Sequence, residues 1–412
     1  MGGPTPTIPT MRRLYTTLVL VIVAMGAPLL APRLAAQKAA KPIPRPKLRD
    51  VTDTNDAQAY YDAGLRDFRD DPGAAAEAFY WAARLNPGWA DPLYARRVAV
   101  LSSKQTLLNA IMTNNRRDRP ELRSLDSLLA RAYMLNPFLY RRLDRQLFLN
   151  YLTNGDRRAQ AELNYEINVA IGQSTPSMQA WYAYSQGNFD RALEHYARAI
   201  NGTRENADLH LERARIFGMR NQVEPAVEEF QLALDEMRQK DEKKLVILYD
   251  SKALAEFSVA TLLEGAGQPD KAKEAYGRAL QEDLAYYPAH MRLGLLAITQ
   301  GDTAAALSEL AMAAEIATDD PFVHYMNGWV LAKAKHTKEA VAELTKATEL
   351  EPYYALPNLV LGAQYETLDK APEAMAAYDR FLKTSSAKDP QRQIAQDRIE
   401  DIKAFLNAPK TQ

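Results

Sequence analysis

PFVHYMNGWVLAKAKHTKEAVAELTKATELEPYY, residues 321–354, runs directly into ALPNLVLGAQYETLDKAPEAMAAYDRFLKTSSAK, residues 355–388. Set one above the other, and below residues 287–320, these lines align. Gly294, Gly328 and Gly362 recur every 34 residues, and Ala306, Ala340 and Ala374 keep the same interval. A fixed period of that length marks stacked helix pairs, because one pair cannot bury its own apolar face and must lean on the next. The small residues have a physical role in such a stack. A glycine where two helices cross allows close approach, the alanines do the same from the second helix, and Tyr365 and Tyr378 fill the space beside them.

The detailed pattern can be compared with known repeats. One copy reads Gly328, Leu331, Ala340, Leu344, Ala347, Pro352, and the next reads Leu361, Gly362, Tyr365, Ala374, Tyr378. This pattern resembles the tetratricopeptide repeat family, closely over residues 177–388 and loosely over 56–171. The resemblance implies an all-α, right-handed superhelical solenoid of antiparallel helix pairs ending in a C-terminal capping helix. It also implies that the first helices line a concave groove. It speaks for architecture rather than activity, because such folds host many roles.

Upstream the period continues with interruptions. Ala272, Tyr276 and Ala279 precede the clear copies, and Ala226, Phe230 and Ala233 precede those by 46 residues, an insertion of 12. The charged run from Arg238 to Lys244 accounts for it as a helix extension or loop. Gly187, Ala192, Tyr196 and Ala199 form another copy behind a shortened first helix containing Trp181. Nearer the N-terminus, Tyr60 and Gly64 belong to a first helix, and Ala75, Phe79 and Ala82 to a second ending at Leu85-Asn86-Pro87. Proline cannot continue a helix. Leu135-Asn136-Pro137 repeats that ending, with a longer first helix and the polar run Asn114–Pro120 absorbing the difference. Past Pro390, Ile394, Ile399, Ile402 and Phe405 alternate with charge at helical spacing, the pattern of a cap whose apolar face shields the last pair. The domain reading is thus 1–36 signal peptide, 37–55 linker, 56–171 divergent helical repeats, 172–388 tetratricopeptide repeats, and 389–412 capping helix and tail.

The N-terminal segment reads as an export signal. Arg12 and Arg13 precede an apolar stretch from Leu18 to Leu30, interrupted by Pro28. That stretch is short of the roughly 20 apolar residues of a membrane span and suits a signal peptide. Ala36 is a candidate last signal residue, with Ala24 and Gly26 an earlier alternative. An uncleaved anchor facing the periplasm is the competing reading. Pro42, Pro44 and Pro46 among basic residues favour an extended, solvated linker. The localisation expected is periplasmic or secreted, from a bacterial cell.

Composition excludes several classes. The chain has no cysteine, hence no disulfide, thiolate metal site or cysteine nucleophile. Its formal charge is −1; without the three arginines of residues 1–36, 48 basic and 52 acidic side chains leave −4. Nucleic-acid binding leaves a strong basic footprint, and none exists overall. Arg116 to Arg158 is locally basic, with ten arginines against five acids, and reads as solvated helix faces or as a docking face for an acidic partner.

No catalytic, cofactor or metal constellation emerges. His210, His290 and His324 hold equivalent places in three repeats, where periodicity explains their alignment as packing residues. No H-E-x-x-H spacing accompanies them. Gly265-Ala266-Gly267 lacks the strand and the G-K-[ST] tail of a nucleotide loop and reads as a helix end. Asp50, Asp53 and Asp56 lack the glycine and terminal glutamate of a calcium loop and read as helix-capping residues. Asn201-Gly202-Thr203 matches a glycosylation sequon and reads as a turn ending a helix.

What remains is a surface. Phe257, Met291, Tyr325 and Leu359 recur at 34 residues, and one turn later come Thr261, Leu295, Trp329 and Ala363 on the same helix face. By the resemblance, this face lines the groove. A contiguous apolar row marks a binding site, and a peptide with regularly spaced apolar anchors would complete it. The expected site is therefore Phe257, Met291, Leu295, Tyr325, Trp329 and Leu359. The carboxylate clamp known in some members of the family needs lysine and asparagine here, and this chain has neither. The function expected is a non-catalytic scaffold that holds a partner protein or peptide in the cell envelope, with no nucleic acid and no small-molecule substrate. Membrane contact would come only through an uncleaved N-terminal segment. The alternatives are burial of the stripe by the chain's own N-terminal third or proline linker, and an architectural subunit of an envelope complex that self-assembles.

Overall fold

The computed structural model describes residues 43–47, 52–112, 120–153, 175–203, 206–239 and 251–407. The chain divides into two units, Met1–Pro44 and Arg45–Gln412. Of the first, only Ile43 and Pro44 are described, in neither helix nor strand. The expected signal segment, its cleavage sites and Asp50 lie outside the described residues. Among the described residues, no helix is long and apolar enough to cross a membrane.

Among its described residues the second unit is all-helical. Its N-terminal third comprises α1 (Ala57–Asp67), α2 (Pro72–Leu85), α3 (Ala90–Ser103), α4 (Gln105–Met112), α5 (Pro120–Leu135) and α6 (Asp144–Thr153). Six antiparallel pairs follow in chain order. They are α7 (Pro176–Ser185) with α8 (Phe189–Ile200), α9 (Ala207–Met219) with α10 (Val223–Gln239), and α11 (Lys252–Gly265) with α12 (Pro269–Glu282). Then come α13 (Tyr287–Thr299) with α14 (Thr303–Ile316), α15 (Pro321–Lys333) with α16 (Thr337–Leu350), and α17 (Leu356–Thr367) with α18 (Ala371–Thr384). The helix α19 (Gln391–Asn407) packs on α18 and ends the array. Each pair stacks on the next, as a solenoid requires.

Local chemistry sets the helix ends. Asp56, Asp71, Thr175, Asn188, Ser251, Asp302 and Asp320 each cap a helix by accepting backbone N–H bonds. The turn inside each pair reverses through one residue of positive φ: Gly187, Asn221, Gly267, Gly301, Lys335 or Asp369. At the fifth of these, the His336 N–H reaches back to Leu331 O at 2.9 Å, the 6→1 bond of a left-handed helix end.

The register glycines act as expected. A Cβ on Gly328 would lie 2.7 Å from Leu344 Cγ, and one on Gly294 equally close to Leu310 Cγ. Ala306, Ala340 and Ala374 are fully buried opposite them. In the N-terminal third, Gly64 meets Phe79 in the same way, at 2.5 Å, so α1 and α2 form a pair of the same construction.

Three expectations are corrected. The single long helix expected after Pro87 is two, α3 and α4, broken at Lys104. The segment from Arg45 is not a free spacer. Arg45 donates to Tyr60 Oη at 3.0 Å and to Thr54 O, and lies over the rings of Trp81 and Tyr353 at 5.2 and 5.5 Å. Finally, α19 buries Ile399 and Ile402 but leaves Ile394 and Phe405 outside, 55% and 77% exposed. The apolar spacing spans more of the helix circumference than one neighbour covers.

Candidate functional site

The predicted stripe lies on the first helix of four consecutive pairs: Phe257 on α11, Met291 and Leu295 on α13, Tyr325 and Trp329 on α15, and Leu359 on α17. It is not a row of exposed residues. Phe257 and Met291 are only 3% and 7% exposed. The Phe257 ring meets Tyr286 and Tyr276 at 5.5 and 5.6 Å, and it shares one continuous core with Leu93, Tyr94 and Val98 of α3. Leu295, Tyr325, Trp329 and Leu359 are half-buried. Tyr325 stacks edge-on against Tyr354 at 5.3 Å, and the Lys333 ammonium lies 5.5 Å from the Trp329 ring. Four large apolar residues facing water in sequence would be costly, and the chain covers half of them itself.

Met291 is buried among residues of α13–α15 alone, while the N-terminal third runs back along the array. Arg141 bonds Glu212 at 2.8 Å, and Phe138 packs on the bare backbone of Gly218 and beside Phe230. Arg215 lies over Tyr133 at 5.1 Å. Arg215 holds in α9 the place that Leu295 and Trp329 hold in later pairs, so this contact falls on the predicted face. Arg131 reaches Asp320 at 2.8 Å, and a Cβ on Gly88 would lie 2.8 Å from Phe322. Arg84 makes a two-pronged bond to Glu351 at 2.9 and 3.0 Å, and Trp81 meets Tyr353 at 4.9 Å. At the far end Asn55 donates to Lys383 O at 2.8 Å, Asp53 accepts from Ser386 and Ala387 at 2.7 Å, and Lys388 reaches Asp56 at 2.9 Å. As the first partner descends from 141 to 53, the second climbs from 212 to 388.

Charge complementarity steers this docking. Arg131 and Arg141 of the basic segment meet Asp320 and Glu212. The acidic partner considered for that segment is, for these two arginines, the chain's own repeat array. Burial disfavours the charged Arg141, yet Glu212, Tyr133, Tyr184 and Asp144 around it raise its pKa well above the usual value. Burial pushes the Asp144 carboxyl up despite Arg141 beside it. At Asp53, burial alone would raise the carboxyl; hydrogen bonds from Ser386, Asn55 and Ala387 and the Lys388 charge hold it below the usual value.

The aligned histidines are packing residues of a specific kind. His210, His290 and His324 each point Nδ1 at a glutamate 19 residues later on the second helix of the pair, Glu229, Glu309 and Glu343, at 2.6–2.7 Å. In the latter two pairs Nε2 faces Leu284 O or Thr318 O at 3.1 Å, which ties in the preceding loop. Glu256 and Asn358 hold the same register and are met instead by Arg278 and Arg380, 22 residues on. Sequence reasoning missed this crosslink, although the fixed His–Glu spacing was there to find. Among the described residues, no group of three His, Cys, Asp or Glu side chains is placed to hold a metal ion. Asp56 caps α1, Gly267 turns the α11–α12 connection, and Asn201 and Gly202 end α8.

Comparison with known proteins agrees with this architecture. Family profiles described as tetratricopeptide repeat match residues 177–241 and 263–326. Among curated proteins, none matches the chain. Solved structures match parts of the chain at low identity. YrrB, described as a TPR protein with an unusual peptide-binding site, is 20% identical, with a TM-score of 0.40 over 51% of this chain and 100% of its own. The C-terminal part of a TPR repeat-containing protein from Cytophaga hutchinsonii is 16% identical, with a TM-score of 0.44 over 55% of this chain and 84% of its own. MamA from Desulfovibrio magneticus RS-1 is 15% identical, with a TM-score of 0.37 over 46% of this chain and 97% of its own. Residues 177–241 and 263–326 therefore carry tetratricopeptide repeats, within an array of like-stacked helix pairs from α7 to α18.

Proposed function

We propose that this chain is a non-catalytic interaction scaffold of the bacterial cell envelope, exported by its N-terminal segment, that holds a partner polypeptide on the first-helix face of its repeats. One observation carries the reading: the array already accommodates polypeptide, the chain's own N-terminal third, on first helix α9 through Glu212, Arg215 and Gly218, and along the loops between later pairs through Asp320, Glu351 and Ser386 to Lys388. The room for a partner is then the half-buried part of the stripe, Leu295, Tyr325, Trp329 and Leu359, with apolar side chains of the partner as anchors. Phe257 and Met291 support that surface from beneath.

The test is a Tyr325→Ser/Trp329→Ser variant compared with the unaltered chain in its native host. The expected outcome is loss of crosslinked partner with an unchanged melting curve. A lowered melting temperature together with undiminished capture would mean that the two rings serve only the fold. A second reading, an architectural subunit that self-assembles, is favoured by the apolar residues left outside on α19.

A further inference from the structure

The end of the array carries a contact that the groove does not explain. Inside the array, Glu264 accepts from Tyr276 Oη at 2.6 Å and from Arg292 of the next first helix at 2.7 Å. At the end, Glu366 accepts from Tyr378 Oη at 2.5 Å and from Arg398 of α19. Thus α19 stands where the first helix of a further pair would stand, and the chain supplies no second helix for it among the described residues. Its inner residues Ala395, Ile399 and Ile402 are buried with Tyr378 and Phe381 of α18. Its outer face shows Ile394 and Phe405, and between them the Arg398 and Asp401 side chains, 45% and 66% exposed, pair with each other at 3.0 Å.

Those four residues follow the spacing i, i+4, i+7, i+11, which places them on one stripe of the helix. Along it the order is apolar, positive, negative, apolar. A two-fold axis crossing the helix midway between Ile399 and Glu400 exchanges position 394 with 405 and position 398 with 401. We propose that two copies of this chain join end to end through antiparallel α19 helices about that axis. Ile394 of each copy packs on Phe405 of the other, and the Arg398–Asp401 pairs of the two copies meet at the axis with Arg398 of each beside Asp401 of the other.

The occupant is a second copy because the stripe is complementary to itself at every position. An isologous contact demands that match, and a partner of unrelated sequence would not impose it. A cleft of about 500 Å³ beside Phe405, lined also by Glu366, Asp369 and Ile402, gives the incoming Ile394 a place to seat. Exposed apolar side chains gathered at one place mark such contacts. This inference stands apart from the groove reading, since neither Tyr325 nor Trp329 takes part.

Sedimentation of the full chain tests it. The expected result is a dimer that Phe405→Glu converts to a monomer with an unchanged helical circular-dichroism spectrum, since that ring is mostly in solvent within one copy. Because the chain has no cysteine, a directional test is also clean. Ile394→Cys combined with Phe405→Cys should form interchain disulfides under oxidation. Ile394→Cys alone should not, since the two copies of position 394 would lie roughly 16 Å apart along the helices. A monomer at all concentrations, a dimer that survives Phe405→Glu, or equal crosslinking by Ile394→Cys alone would each overturn the proposal.

Discussion

The pairs α11 to α18 and the N-terminal third are built from similar helices, yet they are held by different kinds of contact. In the pairs, each contact is local and repeated: Gly294 on Leu310, Gly328 on Leu344, His290 to Glu309, His324 to Glu343. In the N-terminal third, the contacts to the array are distant and each is made once: Arg84 to Glu351, Arg131 to Asp320, Asp53 to Ser386. The difference teaches that one array can serve as both product and template. Its pairs stack by a rule of nearest neighbours, and the loops between them, with first helix α9, then hold the chain's own N-terminal third.

The largest expected effect strikes the local rule. Gly328→Leu drives a side chain into Leu344 and should destabilise the array by about 3 kcal/mol, read as a lower midpoint in urea unfolding. An unchanged midpoint would mean that this crossing is not close-packed. Next comes the long-range rule. Arg84→Ala removes one partner of a largely buried, two-pronged ion pair and leaves Glu351 without its countercharge, at an expected cost of about 2 kcal/mol. Hydrogen exchange should quicken in α1–α3 and at residues 351–354 while α13 and α14 keep their protection. Adding Glu351→Ala should recover part of the loss, and strictly additive losses would show that the pair is not coupled. The smallest effect is a gain. Lys335 takes a positive φ that Gly267 and Gly301 take in equivalent turns, so Lys335→Gly should stabilise by about 0.5–1 kcal/mol, measured as a small rise in midpoint.

Much of the array was legible because its signals repeat. Gly294, Gly328 and Gly362 announced the helix crossings, and Leu85-Asn86-Pro87 and Leu135-Asn136-Pro137 announced the helix ends, at Leu85 and Leu135. The candidate site was legible only as a register. Phe257, Met291, Tyr325 and Leu359 hold equivalent places on four first helices, but nothing in their spacing distinguishes a face awaiting a partner from one already covered. The residues after the two prolines, Gly88 and Phe138, carried no signal of their contacts. Their partners Phe322 and Gly218 lie far along the chain, and no period links them. On α19 the helical spacing was correct, while the side on which Ile394 and Phe405 would fall depended on how α18 received the helix.

The sequence by itself determined the helix pairs, because each pair closes within 34 residues and small side chains at fixed intervals leave only one way to stack. Tertiary structure alone decided where the N-terminal third docks on that array. Docking the N-terminal third joins residues as distant as Asp53 and Ala387. Such contacts depend on shape and charge matched across the assembled array, a surface that does not exist until the pairs have stacked.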